Sequence, residues 1–324
     1  MGDNRVLNIL IPSAGGVSGI FLIRHLSRNK VAGYDYRIAA ADSNPYAVAK
    51  HFADVFYPVP MCSDPRYEQA IFEIVAKERI DIVIPLTSYD IPFFAAQKTR
   101  LERLGAKLLV CDLPTHERLH NKKKMYSLMK SIGVAVPRVY EDGVPPAAYP
   151  AILKATESSG GRGVYRLDND TDYRYWSAKL GEHVVTAFVY GTEYTVDCLF
   201  DRSGRLVTYN VRERLKTNGG AAVVARQAKP SDSLRFVLRQ LEKHLTIAGP
   251  VNFQYIVDRD NRLFVTDFNT RFASGGLPLT IASGCDIPNL MIRLMLGLDV
   301  EAPERKPTKL TMYRYYDELF IEEC

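Results

Sequence analysis

Val251-Asn252-Phe253-Gln254-Tyr255-Ile256-Val257-Asp258-Arg259-Asp260-Asn261-Arg262-Leu263-Phe264-Val265-Thr266-Asp267-Phe268-Asn269-Thr270-Arg271 reads as two β-strands joined by a polar turn. Side chains alternate faces along a strand. Placing Asp258 opposite Asn261 sets Asn252 opposite Asp267, with Gln254 and Asn269 on the same face. Four oxygen-bearing side chains then share one patch, and the Arg271 guanidinium lies beside it. Val257, Leu263 and Val265 gather at the other end. Such a donor set suits a hard cation such as Mg2+, which keeps some waters and takes further ligands from nucleotide phosphates. A polar hairpin face turned to water is the plain alternative, and it does not explain this segregation.

Working back from the hairpin, Ile152-Leu153-Lys154 is a strand that ends in a lysine. It runs into a small, flexible loop, Ser158-Ser159-Gly160-Gly161-Arg162-Gly163. A fixed charge followed by exposed backbone N–H groups can hold phosphates, and such a loop can close after a nucleotide enters. An ordinary hairpin with a surface lysine fits this stretch equally well. Thr186-Ala187-Phe188-Val189 leads to the turn Gly191-Thr192-Glu193. Its backbone can offer donors and acceptors to an adenine edge, and Glu193 can accept from ribose hydroxyls.

The N-terminal third alternates strands and helices: strand Val6–Ile11, a glycine turn, a helix, strand Tyr36–Ala41, a helix near Tyr46–Phe52 and strand Val55–Val59. The pattern continues with helix Glu68–Lys77, strand Ile80–Pro85, helix Phe93–Leu104 and strand Lys107–Cys111. That alternation predicts a doubly wound parallel sheet over 1–114. The turn Gly15-Gly16-Val17-Ser18-Gly19 departs from the dinucleotide fingerprint, whose first two glycines flank one residue. A nicotinamide site is therefore the weaker reading, and a tight strand-to-helix turn the simpler one. Thr115–Ile132 is predicted to be one helix, followed by the Pro/Ala connector Val144–Pro150. Beyond it the chain turns to short β runs, interrupted by helix Leu234–Leu245 and closed by helix Ile287–Leu298 and strand Leu310–Tyr316.

The chain has 324 residues and a net charge of +5, too mild and too dispersed for a nucleic-acid surface. Its five cysteines are scattered, with no CxxC pair, which predicts reduced thiols rather than a disulfide framework or a zinc site. No apolar run approaches the ~20 residues that span a bilayer. These features predict a cytoplasmic protein with small-molecule partners, no nucleic acid and no membrane; a homodimer is a further expectation. His116 and His120, four apart on the expected helix, are read as surface or packing residues.

Taken together, Lys122, Lys154 with its Ser/Gly loop, Gly191-x-Glu193, Asn252-x-Gln254 and Asp267-x-Asn269-x-Arg271 resemble the ATP-grasp superfamily. Within it they are most similar to the branch typified by the carbamoyl-phosphate synthase large subunit, over nearly all of the chain. The resemblance implies an α/β and α+β protein. A pre-ATP-grasp Rossmann-like domain (1–114) would precede a lid subdomain with a helical linker (115–190) and a C-terminal subdomain with the metal site (191–324). It implies an ATP-dependent ligase that activates a carboxylate as an acyl phosphate for attack by an amine, with ATP and Mg2+ (or Mn2+) as cofactors.

By the same resemblance, Lys122, Lys154, Ser159, Gly160, Gly161 and Gly163 would hold phosphates. Thr186, Ala187, Phe188 and Val189 would read adenine, and Glu193 the ribose. Gln254, Asp267 and Asn269 would hold the metal. Arg271, Lys154 and Arg214 would act in catalysis, and Arg212, Arg214 and Lys216 would meet an anionic substrate. Two positions depart from the pattern: Asp267 stands where the family usually has Glu, and Ala187 where relatives often have an acid. The alternatives are a non-catalytic or regulatory ATP-binding module and a nicotinamide-dependent oxidoreductase.

Overall fold

The structure, a computed structural model, describes residues 4–158, 161–301, 303 and 309–322. Strand β1 (Arg5–Ile11) leads into α1 (Val17–Arg28), β2 (Tyr34–Asp42) and β3 (Val55–Pro58). Helix α2 (Arg66–Lys77), β4 (Ile82–Val83) and α3 (Ile91–Arg103) follow. The four strands form a parallel sheet in the order β3-β2-β1-β4. Leu7, Leu10, Ile11, Ile38 and Ala40 are fully buried because helices cover both faces, which is why these strands read as unbroken apolar runs. The expected helix near Tyr46–Phe52 is only a 3-10 turn, Val48–His51. Lys107–Cys111 does not form a strand; Lys107 makes one parallel bridge to Ile82.

The glycine turn after β1 is closed by its own sheet. The Gly15 N–H donates to Asp42 Oδ2 at 2.6 Å, so the acid at the end of β2 occupies the loop's amide. This contact favours the simple strand-to-helix turn over a cofactor fingerprint.

The long helix expected over Thr115–Ile132 is two helices, α4 (Leu113–His120) and α5 (Lys122–Ser131). Asn121 breaks them with an extended backbone and caps the second, its Oδ1 accepting from the Lys124 N–H at 3.2 Å. Next comes a three-stranded sheet, ordered β6-β5-β7, of β5 (Ala151–Ala155), β6 (Val164–Leu167) and β7 (His183–Ala187). Helix α6 (Asp170–Lys179) packs on it and was not anticipated. Its apolar face is thin, with only Tyr173 buried, although Asn169 caps it and Asp170 and Asp172 sit in its first turn.

The largest sheet holds β8 (Gly191–Phe200), β9 (Leu206–Asn218), β10 (Ala221–Ala228), β11 (Gly249–Asp258), β12 (Leu263–Asn269) and β13 (Thr311–Tyr313). Its order is β12-β11-β8-β9-β10-β13 and every pairing is antiparallel. Val196, Cys198, Val211, Phe253 and Phe268 bury one face under α4, α5 and α7 (Asp232–His244). Helix α8 (Leu277–Ala282) lies against β9 and β10, while α9 (Ile287–Leu296) packs with α1 in the core of the first sheet. Among the described residues, no helix is long and apolar enough to cross a membrane.

Gly249, where β11 begins, packs against the Leu109–Val110 segment that follows α3. Its φ is +84°, and a Cβ there would lie 2.2 Å from the Leu109 carbonyl oxygen. We expect Gly249→Ala to lower stability by about 2–3 kcal/mol, adding a steric clash to the cost of a left-handed backbone. Urea unfolding measures this directly; a loss below about 1 kcal/mol would contradict the contact.

Candidate functional site

The exposed face of the large sheet is polar because every second residue on its central strands is polar. Pairing across the sheet sets these residues in rows. Asn269, Asn252, Asp197 and Asn210 form one, and Asp267, Gln254, Thr195 and Arg212 the next. The hairpin register differs from the expected one. Gln254 faces Asp267 and Asn252 faces Asn269, and Thr266 is an extra residue in β12, between the pairs Gln254–Asp267 and Tyr255–Val265. The turn shifts the strands by one residue and this bulge by another. Two shifts of one restore the parity, so the four oxygen-bearing side chains share a face as predicted.

That face floors a cavity of about 540 Å3, roofed by the three-stranded sheet. Lys122, Lys154, Gly161, Thr186, Ala187, Phe188, Val189, Glu193, Arg214, Gln254, Asp267, Asn269 and Arg271 line it. Gly163 does not; it packs on Ala155 instead. The expectations for Ser159 and Gly160 lie outside the described residues.

The two lysines meet at the hairpin. The break at Asn121 puts Lys122 at the start of α5, where its N–H donates to the Thr156 carbonyl at 2.9 Å. Its side chain is nearly fully buried, with Nζ 3.2 Å from Ser158 Oγ and 3.7 Å from Asp267 Oδ1. Burial pushes the Lys122 ammonium down and the Asp267 charge partly restores it. Lys154 Nζ donates to the Tyr126 hydroxyl and to the Thr266 carbonyl, each at 3.0 Å. Burial opposes the Lys154 charge, but Tyr126, Asp267 and Glu193 outweigh it and raise its pKa above the ordinary value.

At one end of the cavity Pro137, Ile152, Val164, Phe188 and Ile256 form an apolar slot. The Ala187 N–H is already bonded to the Arg138 carbonyl at 2.8 Å and the Phe188 N–H to the Pro150 carbonyl at 3.2 Å. Two of the amides expected to read a base are thus engaged within the fold. Glu193 Oε1 lies 3.1 Å from Arg214 Nε, which pairs the expected ribose acceptor with an expected catalytic arginine.

At the other end, Arg212 is buried and ion-paired with Asp197, Nε to Oδ2 at 3.0 Å, and Thr280 donates to the same carboxylate. Arg212 lines the cavity, whereas Lys216 is exposed and outside it. Arg271 reaches back to the loop after β4, donating from Nε to Ser88 Oγ at 3.0 Å, and from Nη2 to Asn269 Oδ1 at 3.3 Å. Arg162, in the loop after β5, donates to the Tyr89 hydroxyl at 3.0 Å. The loop between β4 and α3 therefore touches both the roof and the floor of the site.

Sequence reasoning missed Tyr126, Ser88 and Asp197. Tyr126 carried a usable signal, since it follows Lys122 by four residues on one helix and must share its face. Ser88 and Asp197 carried none, because only tertiary packing brings them here.

Comparison with known proteins relates the fold to families already described. Residues 179–317 match the family described as ATP-grasp in the biosynthetic pathway with Ter operon. Residues 9–109 match the PylC-like N-terminal domain. The carbamoyl phosphate synthase large chain, C-terminal section, of Methanopyrus kandleri is 23% identical over 292 residues, covering 82% of this chain and 52% of that protein. The chain thus spans about half the length of this relative. Among solved structures, the N5-carboxyaminoimidazole synthetase of Staphylococcus aureus, complexed with ADP, superposes with a TM-score of 0.73 at 14% identity, over 94% of this chain and 82% of its own. The L-amino acid ligase of Bacillus licheniformis gives 0.68 at 17% identity, over 94% and 76%.

His116 lies beneath the site, with Nδ1 2.6 Å from Thr270 Oγ1 and its ring stacked on His120. Burial, aided by the neighbouring His120 charge, lowers its pKa to about 4 from an ordinary 6.5. The folded state thus disfavours protonation, so the stability His116 contributes is complete above pH 6.5 and is lost as pH falls toward 4. The span corresponds to about 3 kcal/mol. Urea midpoints at pH 7 and pH 4.5 should differ more in the wild type than in His116→Gln; equal differences would refute the assignment.

Proposed function

We propose that this chain, which matches an ATP-grasp family over residues 179–317 and a PylC-like N-terminal domain over residues 9–109, is an ATP-dependent carboxylate–amine ligase. One observation carries the proposal: Lys122, Lys154, Gln254, Asp267 and Arg271 converge in a single cavity with an apolar slot at one end and arginines at the other. Of the solved structures that resemble it, one is named an N5-carboxyaminoimidazole synthetase and is complexed with ADP, and another is named an L-amino acid ligase.

Adenine would enter the slot between Ile152, Val164 and Ile256, where the Val189 backbone remains to meet its edge. The two lysines would take the phosphates. The donor set fits Mg2+ or Mn2+: Asp267 and Gln254 are cross-strand neighbours, and Asn269 donates to Asp267 Oδ2 at 3.2 Å. Among the described residues no cluster of three His, Cys, Asp or Glu exists, so a cation here must complete its shell from phosphates and water. Once bound, the metal would neutralise charge on the transferring phosphoryl group.

In the proposed reaction a substrate carboxylate oxygen attacks the γ-phosphorus and the bond to the β,γ-bridging oxygen breaks, releasing ADP. An amine then attacks the acyl carbon of the acyl phosphate. Phosphate leaves, the amide forms, and the amine gives up its extra proton. Arg271, held in place by Ser88 and Asn269, would steady the phosphoryl group. Arg162 ties the roof to Tyr89 through an exposed hydrogen bond, and a roof held over the site would limit hydrolysis of the acyl phosphate.

The test is ADP release from Mg-ATP against amino acids and small carboxylates, alone and in pairs. We expect turnover that requires a specific pair and falls by at least about 100-fold in Lys154→Ala and Asp267→Asn. Tight Mg-ATP binding without ADP release for any pair would favour a regulatory module, a reading that the shorter Asp267 makes worth separating.

A further inference from the structure

Lys154 arrives from the roof of the cavity and Asp267 from its floor, so some element must set one against the other. Helix α5 meets two consecutive residues of β12: Lys122 approaches Asp267, and one turn later Tyr126 donates from its hydroxyl to the Thr266 carbonyl at 2.9 Å. That carbonyl belongs to the bulged residue, which has no partner in the β11 register, and it points away from the ladder toward the helix. Lys154 Nζ, on β5, donates to both oxygens, 3.0 Å from each. The ammonium, the phenol and the bulged carbonyl therefore form a closed triangle of hydrogen bonds linking three elements.

Packing alone does not require this triangle. Tyr126 is 1% exposed, and its single donor is already satisfied by Thr266. Accepting from Lys154 as well adds nothing to its own hydrogen-bond balance. It does fix the direction of a long, rotamer-rich side chain that otherwise loses entropy on ordering. A phenylalanine would fill the same core space beside Leu119, Met125 and Met129. The hydroxyl is thus the part that calls for a role.

We propose that Tyr126 is a positioning residue: with the bulged carbonyl of Thr266 it holds Lys154 at a set distance from Asp267, so that the phosphate-binding charge and the metal-binding carboxylate act as one rigid unit. The proposal rests on the nucleotide reading above. It predicts that the hydroxyl matters for the phosphates of a nucleotide and not for its base.

Tyr126→Phe tests this by calorimetric titration with Mg-ATP and, separately, with adenosine, which lacks phosphates. The variant should lose about tenfold in affinity for Mg-ATP. Its affinity for adenosine and its melting temperature should stay near those of the wild type. In a Lys154→Met background the same substitution should have little further effect, because Tyr126 acts through the lysine. Unchanged Mg-ATP affinity would overturn the proposal, as would parallel losses for Mg-ATP and adenosine, or an undiminished effect in Lys154→Met. A wild-type protein that binds adenosine but not Mg-ATP would also refute it. One that binds neither would instead remove the nucleotide reading on which it rests.

Discussion

One extra residue in one strand organises the site. In an unbroken ladder the Thr266 carbonyl would be spent on β11, and β12 would present its side chains in plain alternation with its neighbour. The bulge turns that carbonyl toward α5, where it receives Tyr126 and Lys154. Bulges bend a strand and re-aim the side chains that follow, and here the residue that follows is Asp267. The position of a lysine from another sheet and the direction of the acidic side chain thus trace to the same backbone irregularity.

The rest of the molecule encloses that point. The β11–β12 hairpin is packed from below by Phe253 and Phe268, whose rings stack 5.5 Å apart. Arg271 ties it to the loop between β4 and α3 through Ser88, while Arg162 ties the roof to the neighbouring Tyr89. Gly161 and Gly220 come so close that a Cβ on the first would meet the Cα of the second at 2.9 Å. The cavity is walled by the three-stranded sheet and the large sheet, and interactions between its charges strengthen wherever water is displaced.

Much of this was legible in the sequence, though for uneven reasons. The polar face of the hairpin was readable because alternation depends only on parity, which survived a register that was off by two. The bulge was not readable: no glycine marks it, and Thr266 is an ordinary strand residue. The break between α4 and α5 had a signal in Asn121, a strong helix N-cap, but the apolar pattern ran through it. Arg212 was expected from the resemblance to meet an anionic substrate, and nothing in the sequence pairs it with Asp197, fifteen positions earlier. The engaged Ala187 and Phe188 amides were hidden for a similar reason, since Arg138 and Pro150 reach them only in the folded chain.

The central claim is that a nucleotide and its metal sit between the roof lysine and the hairpin. A crystal structure of the protein grown with ADP and Mn2+ tests it most directly, because manganese can be located by its anomalous scattering. The account predicts a peak beside Gln254, Asp267 and Asn269, in contact with the nucleotide phosphates, and the base in the slot lined by Ile152, Val164 and Ile256. A nucleotide bound instead at the Gly15–Gly19 turn, or a cavity left empty at saturating ADP and Mn2+, would contradict it.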